Sequence, residues 1–244
     1  MELKEMIYKR KSTRSYTDVP VETEILQKIQ AFAGSLASLY PEIRGKMEIV
    51  DGKNVRCILP WKTKQVLALF AEKKEGAAEN VGFLYQQMDL YLQSLGLGSC
   101  WLGMGRLGGE EETVLPASEG MEFVIMIAFG YPKGELYREN TASFKRKALR
   151  EISDREDERL EPARLAPSSV NSQPWYFVHD GDTVRAYCVR SGLLKKGAPN
   201  AMNRVDMGIA LAHLYVANPE TFRFFREENV PEVKNYAYTG SFVL

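Results

Sequence analysis

The chain has 244 residues with 32 basic and 32 acidic side chains, 45% hydrophobic and 26% charged residues, as in a soluble globular protein of one large domain or two small ones. Zero formal net charge argues against nucleic acid or an anionic membrane as the main partner, because both bind clustered cations. The longest apolar run, residues 123–129, is far shorter than the roughly 20 residues of a membrane span. The charged N-terminus has no apolar secretion signal, so we expect a cytoplasmic protein.

Hydrophobic periodicity and turn residues predict an α+β protein. In chain order, the first half is predicted to contain helices at 2–9 and 21–37, strands at 46–50, 54–59 and 65–72, a helix at 78–95 and a strand at 122–130. After a polar linker at 133–145, the second half is predicted to contain a helix at 152–165, a hairpin of 174–179 and 183–189, helices at 203–217 and 219–228, and a β-like tail of alternating aromatic residues. These patterns place a boundary before Arg146, between residues 1–145 and 146–244.

A faint internal repeat supports that boundary. Three pairs of segments match: Arg10–Arg14 with Arg146–Arg150, Lys46–Gly52 with Trp175–Gly181, and Asn80–Phe83 with Asp206–Ile209. Their offsets fall steadily, from 136 to 129 to 126 residues. Shorter loops in a second copy would produce this trend, whereas chance matches would scatter. We therefore predict two homologous halves of unequal length that share one core.

Metal sites and disulfides are not expected. The cysteines, Cys57, Cys100 and Cys188, are odd in number, widely spaced and without a CxxC motif,. His179 and His213 are too few for a His-rich metal site, although their number still permits a Cys-His nucleophile pair. The sequence has no nucleophile elbow, P-loop or HExxH segment. An organic cofactor is therefore the favoured source of any reactivity.

Cations are concentrated at the end of the first predicted helix. Residues 9–14 read KRKSTR, four cations and two hydroxyls in six residues. One interpretation is favourable charge at a helix C-terminus on a solvated surface. The other is an anion site, because the planar arginine fork and charge-assisted hydrogen bonds suit phosphate.

Three further segments each allow a structural and a functional interpretation. Residues 166–177, APSSVNSQPWYF, form either a polar turn fixed by prolines or a site for a heteroaromatic ligand with a polyol chain. The glycines of residues 95–105 let a backbone approach a flat ligand, while a helix C-cap explains only the first two of them. That segment ends a helix, so it is not the dinucleotide fingerprint. Residues 129–132 close a strand with Gly-Tyr-Pro, and the basic triplet 145–147 is either surface charge or part of a site.

Together these segments resemble the FMN-dependent nitroreductase family. Five of its motifs are present, and the resemblance covers nearly the whole chain: RKSTR at 10–14, GLGSCW at 96–101, FGYP at 129–132, KRK at 145–147 and PSSVNSQPWYF at 167–177. In ordinary members PSSxNxQPW follows the first long helix, but here residues 38–44 hold that place. The order resembles the single-chain, two-half branch of the family, the TM nitroreductases, as though a homodimer had been fused and shortened.

This resemblance implies a nitroreductase-like fold of two α+β halves, with antiparallel sheets flanked by helices, fused as a pseudo-dimer. It also implies one FMN site built by both halves. By motif, the FMN phosphate and ribityl chain would contact Arg10, Lys11, Ser12 and Arg14, with Lys145 and Arg146 closing on the phosphate. The ribityl chain and ring edge would contact Pro167, Ser168, Ser169, Asn171 and Gln173, and the backbone near flavin N5 would belong to Trp101, Leu102 and Gly103.

The function implied by the resemblance is an NAD(P)H oxidoreductase. Hydride would pass by a ping-pong mechanism through flavin N5 to a nitroaromatic, quinone or similar electron-poor acceptor, and no protein acid or base is strictly needed. A monomer would suffice for one site, without a nucleic-acid or membrane partner. The alternatives are an FMN-binding or storage protein with little turnover, and an interaction protein that keeps only the fold.

Overall fold

An antiparallel sheet forms the first half of the chain in a computed structural model, which describes residues 2–57, 62–108, 120–192 and 197–244. Its strands are β1 (Gly45–Asp51), β3 (Gln65–Glu72), β4 (Gly98–Leu102) and β6 (Met121–Gly130), in the order β1-β3-β6-β4. All neighbours in it are antiparallel. Two short strands, β2 (Val55–Arg56) and β5 (Arg106–Leu107), pair separately.

The second half forms another four-stranded antiparallel sheet. Its strands are β7 (Trp175–Asp180), β8 (Thr183–Val189), β9 (Arg223–Phe225) and β10 (Tyr236–Val243), in the order β7-β8-β10-β9. The described residues include six α-helices that accompany the sheets: α1 (Leu3–Lys9), α2 (Thr23–Ala33), α3 (Ala77–Ser94), α4 (Leu149–Ile152), α5 (Glu161–Leu165) and α6 (Ala201–Ala217). These elements confirm the predicted α+β class with antiparallel sheets.

The two sheets share one arrangement. In each, the first two strands along the chain are followed by a long helix, α3 or α6, and then by two strands, of which the later one lies inside the sheet. A single hydrophobic core contains residues of both halves, including Leu67, Met88, Phe177 and Leu211. This common arrangement is what a duplication would leave, although descent from one ancestral half stays a prediction, as does the boundary at residue 146.

Helices α3 and α6 cross at two glycines. A Cβ on Gly82 would lie 2.1 Å from the carbonyl oxygen of Val205, and a Cβ on Gly208 would lie 1.9 Å from that of Glu79. Only glycine therefore allows the two backbones to approach so closely. The contacts are reciprocal, as at a twofold interface between identical subunits, and they relate the same two positions that match in sequence.

Two predicted helices are wrong. The helix expected at 152–165 is interrupted, because Ser153 leaves α4 to form a bridge with Phe177 and the chain re-enters a helix only at α5, with Pro162 in its first turn. The helix expected at 219–228 is strand β9, which pairs with β10 through Phe224 and Phe242. Buried Phe222 and exposed Arg223 show the alternation of a strand,.

Other boundaries differ less. Strand β4 lies in the glycine-rich segment 95–105, for which no strand is predicted, and its pairing with β6 makes it the edge strand of the first sheet. Of the strand predicted at 54–59, the structure has β2, while residues 58 and 59 lie outside the described residues. Among the helices of the described ranges, none is both long and apolar enough to cross a bilayer.

Candidate active site

A cavity of about 320 Å³ lies between the two halves of the chain, within the size range of small-molecule and cofactor sites. Its wall brings together segments that are far apart in sequence. The first half contributes Ser12, Arg14, Cys100, Trp101, Gly103, Met104 and Ile125, and the second half contributes Pro167, Ser168, Ser169, Val170, Met202, Val205, Asp206 and Ile209. At its rim, Met104 is 51% exposed and Val170 is 95% exposed.

The basic arm, residues 10–14, is fixed along the free edge of β4. Ser12 forms a parallel bridge with Ser99, and the N–H of Thr13 donates to the Ser99 carbonyl at 2.8 Å. A Cβ on Gly98 would come within 2.4 Å of the Thr13 side chain, so glycine is required where the arm meets the strand. This pairing holds Ser12 and Arg14 at the cavity.

Arg10 anchors the basic arm through a buried ion pair. Its Nε donates to Oδ2 of Asp89 at 2.9 Å, and their side chains are 1% and 0% exposed. Its second terminal nitrogen donates to Ser12 Oγ at 3.3 Å, so Arg10 positions Ser12. Lys11 points elsewhere: its N–H donates to Gln93 and its ammonium to the Glu135 carbonyl.

A buried network holds the Trp101 indole in the cavity wall. The indole N–H donates to Gln86 Oε1 at 2.9 Å, and the Gln86 amide nitrogen lies 3.0 Å from Asp89 and 3.1 Å from His213 Nε2. Burial lowers the pKa of His213 to about 3, so the ring is neutral. Its Nδ1–H donates to the Pro162 carbonyl, which leaves Nε2 to accept from Gln86.

Arg138 and Arg146 are two half-buried guanidiniums beside the arm, and no carboxylate of the described residues pairs with either. The pKa of Arg146 is lowered to about 9, by burial first and then by the charges of Arg10, Arg138 and Arg164. The pKa of Arg138 is lowered by burial and then by the charges of Arg10 and Arg14. Both Nε atoms are buried, and neither has a hydrogen-bond partner within the ranges that the structure describes. Mutual repulsion and unused donors favour an anion at this place.

Inorganic phosphate is therefore expected to stabilise the protein without cofactor. At about ten times its dissociation constant, a bound anion adds roughly 1.4 kcal/mol to the free energy of unfolding, measurable as a rise in Tm over chloride of equal ionic strength. Replacing Arg138 and Arg146 by glutamine should remove the rise. The control is Arg226→Gln, since Arg226 is exposed and already pairs with Glu75; an unchanged response in the double variant would refute the anion site.

The PSSVNSQ segment, residues 167–173, is held by the basic triplet. The Asn171 side chain accepts from Arg146 and donates to the Lys145 carbonyl, while Gln173 Oε1 accepts from the Lys147 N–H at 2.8 Å. The Lys147 ammonium donates to the carbonyls of Ser172 and Gln173. In this structure the triplet thus shapes the segment as well as adding positive charge.

Three non-glycine residues of this segment have left-handed backbones: Val170, Asn171 and Gln173, with φ of 47°, 58° and 48°. Asparagine tolerates this region, but a β-branched residue is strained there. Val170 is also almost fully exposed, so packing does not compensate for the strain. Strain of this kind concentrates at functional sites.

We expect Val170→Asn to stabilise the protein without cofactor by about 1 kcal/mol, because asparagine adopts the left-handed region more readily. Chemical unfolding measures the change. Val19→Asn serves as control, since Val19 is 54% exposed and is not among the residues with positive φ. If both substitutions shift stability equally, Val170 is not strained.

The predicted site residues fall into two groups. Seven line the cavity: Ser12, Arg14, Trp101, Gly103, Pro167, Ser168 and Ser169. The other seven are not among its lining residues. Five of them hold lining residues through hydrogen bonds or neighbouring contacts: Arg10, Lys145, Arg146, Asn171 and Gln173. Lys11 contacts the loop at Glu135, and Leu102 packs in a separate core on the other face of the first sheet.

Sequence reasoning missed one wall of the cavity and one cation. The missed wall is one face of α6, with the i, i+3, i+4, i+7 spacing of Met202, Val205, Asp206 and Ile209,. In the sequence, this spacing by itself indicates an ordinary helix face packed in the core. Arg138 lies in the segment predicted to be a linker. The positive charge of Arg138 is its only signal in the sequence. Only the fold shows that it lies close to Arg10, Arg14 and Arg146.

Tyr40 packs at the position in the first half that the predicted repeat relates to this cavity. With an offset of 126 residues, Gly76, which caps α3, and Asn80 on α3 match Met202 and Asp206 on α6. A Cβ on Gly76 would lie 3.0 Å from the Tyr40 ring, which also packs edge-on against Phe224 at 5.5 Å between centroids. Under the predicted repeat, these aromatic side chains lie where Met202 and Asp206 border the cavity on the other side,.

Comparison with known proteins identifies relatives of the whole chain. The family model described as "Putative TM nitroreductase" matches residues 2–218. A crystal structure described as "a putative nitroreductase" from Thermotoga maritima MSB8 aligns with a TM-score of 0.67 and 19% identity, covering 100% of this chain and 94% of that one. The nitroreductase-like fold expected from the resemblance is thus confirmed, while its origin as a fused dimer stays a prediction.

Other solved structures match part of the chain. An FMN-dependent nitroreductase from Clostridium difficile R20291 has 20% identity and a TM-score of 0.46, covering 56% of this chain and 94% of that one. A protein described as "Putative NADH dehydrogenase/NAD(P)H nitroreductase" from Bacteroides thetaiotaomicron has 18% identity and a TM-score of 0.45, with 56% and 90% covered. No curated protein matches the chain.

Proposed function

Because the chain belongs to the TM nitroreductase family, we propose that it is an FMN-dependent NAD(P)H oxidoreductase that reduces nitroaromatics, quinones or similar electron-poor acceptors. One observation carries the proposal: the basic arm of the first half and the PSSVNSQ segment of the second half line one cavity. Among the similar proteins of known structure, one is named an FMN-dependent nitroreductase and another an NAD(P)H nitroreductase. Those names agree with this cofactor and this reductant.

The residues present fit FMN. Its phosphate matches the end of the cavity at Ser12 and Arg14, where Arg138 and Arg146 have unused buried donors,. Its ring matches the apolar remainder of the wall, formed by Ile125, Met202, Val205 and Ile209. The neutral hydroxyls of Ser168 and Ser169 also line the cavity and suit the ribityl chain,.

FMN, when bound, supplies hydride acceptance and donation at N5. The chain's own residues bind, orient and shield. Arg14 and Ser12 hold the anionic end, the Gln86 network fixes the Trp101 indole, and Gly103 lets the backbone approach a flat ring. The exposed side chains of Met104 and Val170 flank the mouth, where a nicotinamide and then an acceptor would enter in turn.

One FMN per chain follows from this proposal, since the cavity takes residues from both halves and, under the predicted repeat, Tyr40 packs at its counterpart. A single chain then suffices for one site. Titration of the protein with FMN, followed by flavin fluorescence, is expected to reach its endpoint at one equivalent, and an endpoint near two would contradict the role of Tyr40.

The deciding experiment is anaerobic reduction. Purified protein loaded with FMN is mixed with NADH or NADPH in separate cells, and loss of the oxidised flavin absorbance followed by recovery on adding a quinone is the expected result. Protein that takes up no FMN would refute the proposal. FMN that binds but is reduced by neither nicotinamide would instead indicate the storage protein.

A further inference from the structure

Asp206 is a buried carboxylic acid in the cavity wall. It is 2% exposed, and both of its oxygens share one donor, the backbone N–H of Ser169, at 3.1 Å each. A single N–H is little compensation for a desolvated negative charge. Burial accordingly raises the pKa of Asp206 to about 7, and the Ser169 hydrogen bond opposes this only in part.

Among the described residues, no opposite charge shifts the pKa of Asp206. Cys188 on β8 is close enough for Asp206 to raise the pKa of its thiol, although burial is the larger cause. Arg204 on α6 already pairs with Glu79 at 2.7 Å. Arg14 lines the same cavity, but burial and the Ser169 hydrogen bond are what set the pKa of Asp206. In the described part of the chain, the Ser169 N–H and the solvent-accessible cavity are therefore what can stabilise the charged form of the carboxyl.

The matching position in the first half is neutral. Asn80 Oδ1 accepts the backbone N–H groups of Leu39 and Tyr40, both at 3.0 Å, as Asp206 accepts that of Ser169. An amide thus suffices to hold the segment that precedes the first strand of each sheet. The acid at position 206 adds a titratable proton that this structural task does not require.

We propose that the Asp206 carboxylate takes up a proton from solvent when a flavin fills the cavity, so that a neutral carboxyl presents its O–H to the ligand. The inference rests on the proposed function. A flavin would displace the water that stabilises the charged form, which favours protonation. Flavin affinity should then be highest at low pH, where Asp206 is already neutral, and fall as pH rises through its pKa.

The test is calorimetric titration in two buffers of different ionisation enthalpy, with FMN and with riboflavin as probes. Riboflavin lacks the phosphate. Proton uptake on riboflavin binding therefore reports on Asp206 without a contribution from ionisation of the phosphate or from its contact with Arg146, whose pKa is about 9. At pH 7.5 we expect an uptake of about 0.7 proton per riboflavin, and about tenfold weaker binding at pH 8 than at pH 6. Asp206→Asn should abolish both effects, while Asp180→Asn, an exposed carboxylate with 61% side-chain exposure, should retain them.

The outcomes are distinct. A purely structural role predicts that Asp206→Asn weakens binding equally at every pH, and that result overturns the proposal. Unchanged proton uptake in Asp206→Asn overturns it while leaving the flavin site intact. If neither flavin binds the wild-type protein, the proposed function and this inference both fail. The Tm without ligand verifies that Asp206→Asn is folded, as Asn80 leads us to expect.

Discussion

Gly208→Ala is expected to lower the free energy of unfolding by at least about 3 kcal/mol, the upper part of the range for overpacked cores. Helix propensity alone would make the same substitution stabilising by roughly 1 kcal/mol. The opposite sign is expected because the new methyl would lie 1.9 Å from the backbone carbonyl oxygen of Glu79. A backbone atom cannot rotate away, so α3 and α6 must separate along the centre of the shared core.

Chemical unfolding of the protein without cofactor measures this change. Gly82→Ala should act similarly, since its Cβ would meet the Val205 carbonyl. Gly134→Ala is the control, because no atom lies within 4 Å of a Cβ there. A mild effect at Gly208 would show that the helices can move apart freely, and the cavity between the halves would then be adjustable rather than fixed.

The double variant Ser12→Ala, Arg14→Ala is expected to weaken FMN binding more than a hundredfold without unfolding the chain. Hydrogen bonds to a charged group contribute about 1.5–3 kcal/mol each, and two of them are removed. Both side chains line the cavity, whereas the fastening contacts of the arm, between Arg10 and Asp89 and between Thr13 and Ser99, remain.

The measurement is quenching of FMN fluorescence, with riboflavin as a second probe. Riboflavin should lose less affinity, because it lacks the group that the arm binds. Arg150→Ala is the matched control: it corresponds to Arg14 in the second copy of the arm and lies in α4, away from the lining of the cavity. Retained FMN affinity in the double variant would contradict the role given to the arm.

The fold was predictable where periodicity was strong. The α3 pattern, the hairpin of β7 and β8 and the strand β6 appear where hydrophobic spacing and turn residues indicated. The errors have local causes. Ser153 leaves its helix to form a bridge with Phe177, and residues 223–225 pair with β10. Both pairings join residues that are distant in sequence, so local sequence patterns do not predict them.

The candidate site was predictable to the extent that motifs mark it. Ser12, Arg14 and the residues 167–169 come together as expected, although more than 150 residues separate them. The α6 wall was not predictable, because Asp206 lies within a helix whose apolar spacing is that of ordinary core. Arg10 shows the converse: its motif suggested ligand contact, but the partner that engages it is Asp89.

Under the predicted duplication, Tyr40 and Asp206 show how two halves of one chain can come to differ. A homodimer carries every residue twice, so a change that improves one site alters its twin as well. Here position 80 is an amide that accepts the Tyr40 N–H, and position 206 is an acid beside an open cavity. Such a division of labour needs each half to vary independently, and a single polypeptide provides that independence. The difference between positions 80 and 206 places the titratable carboxyl of Asp206 at the cavity, where a bound ligand can change its protonation.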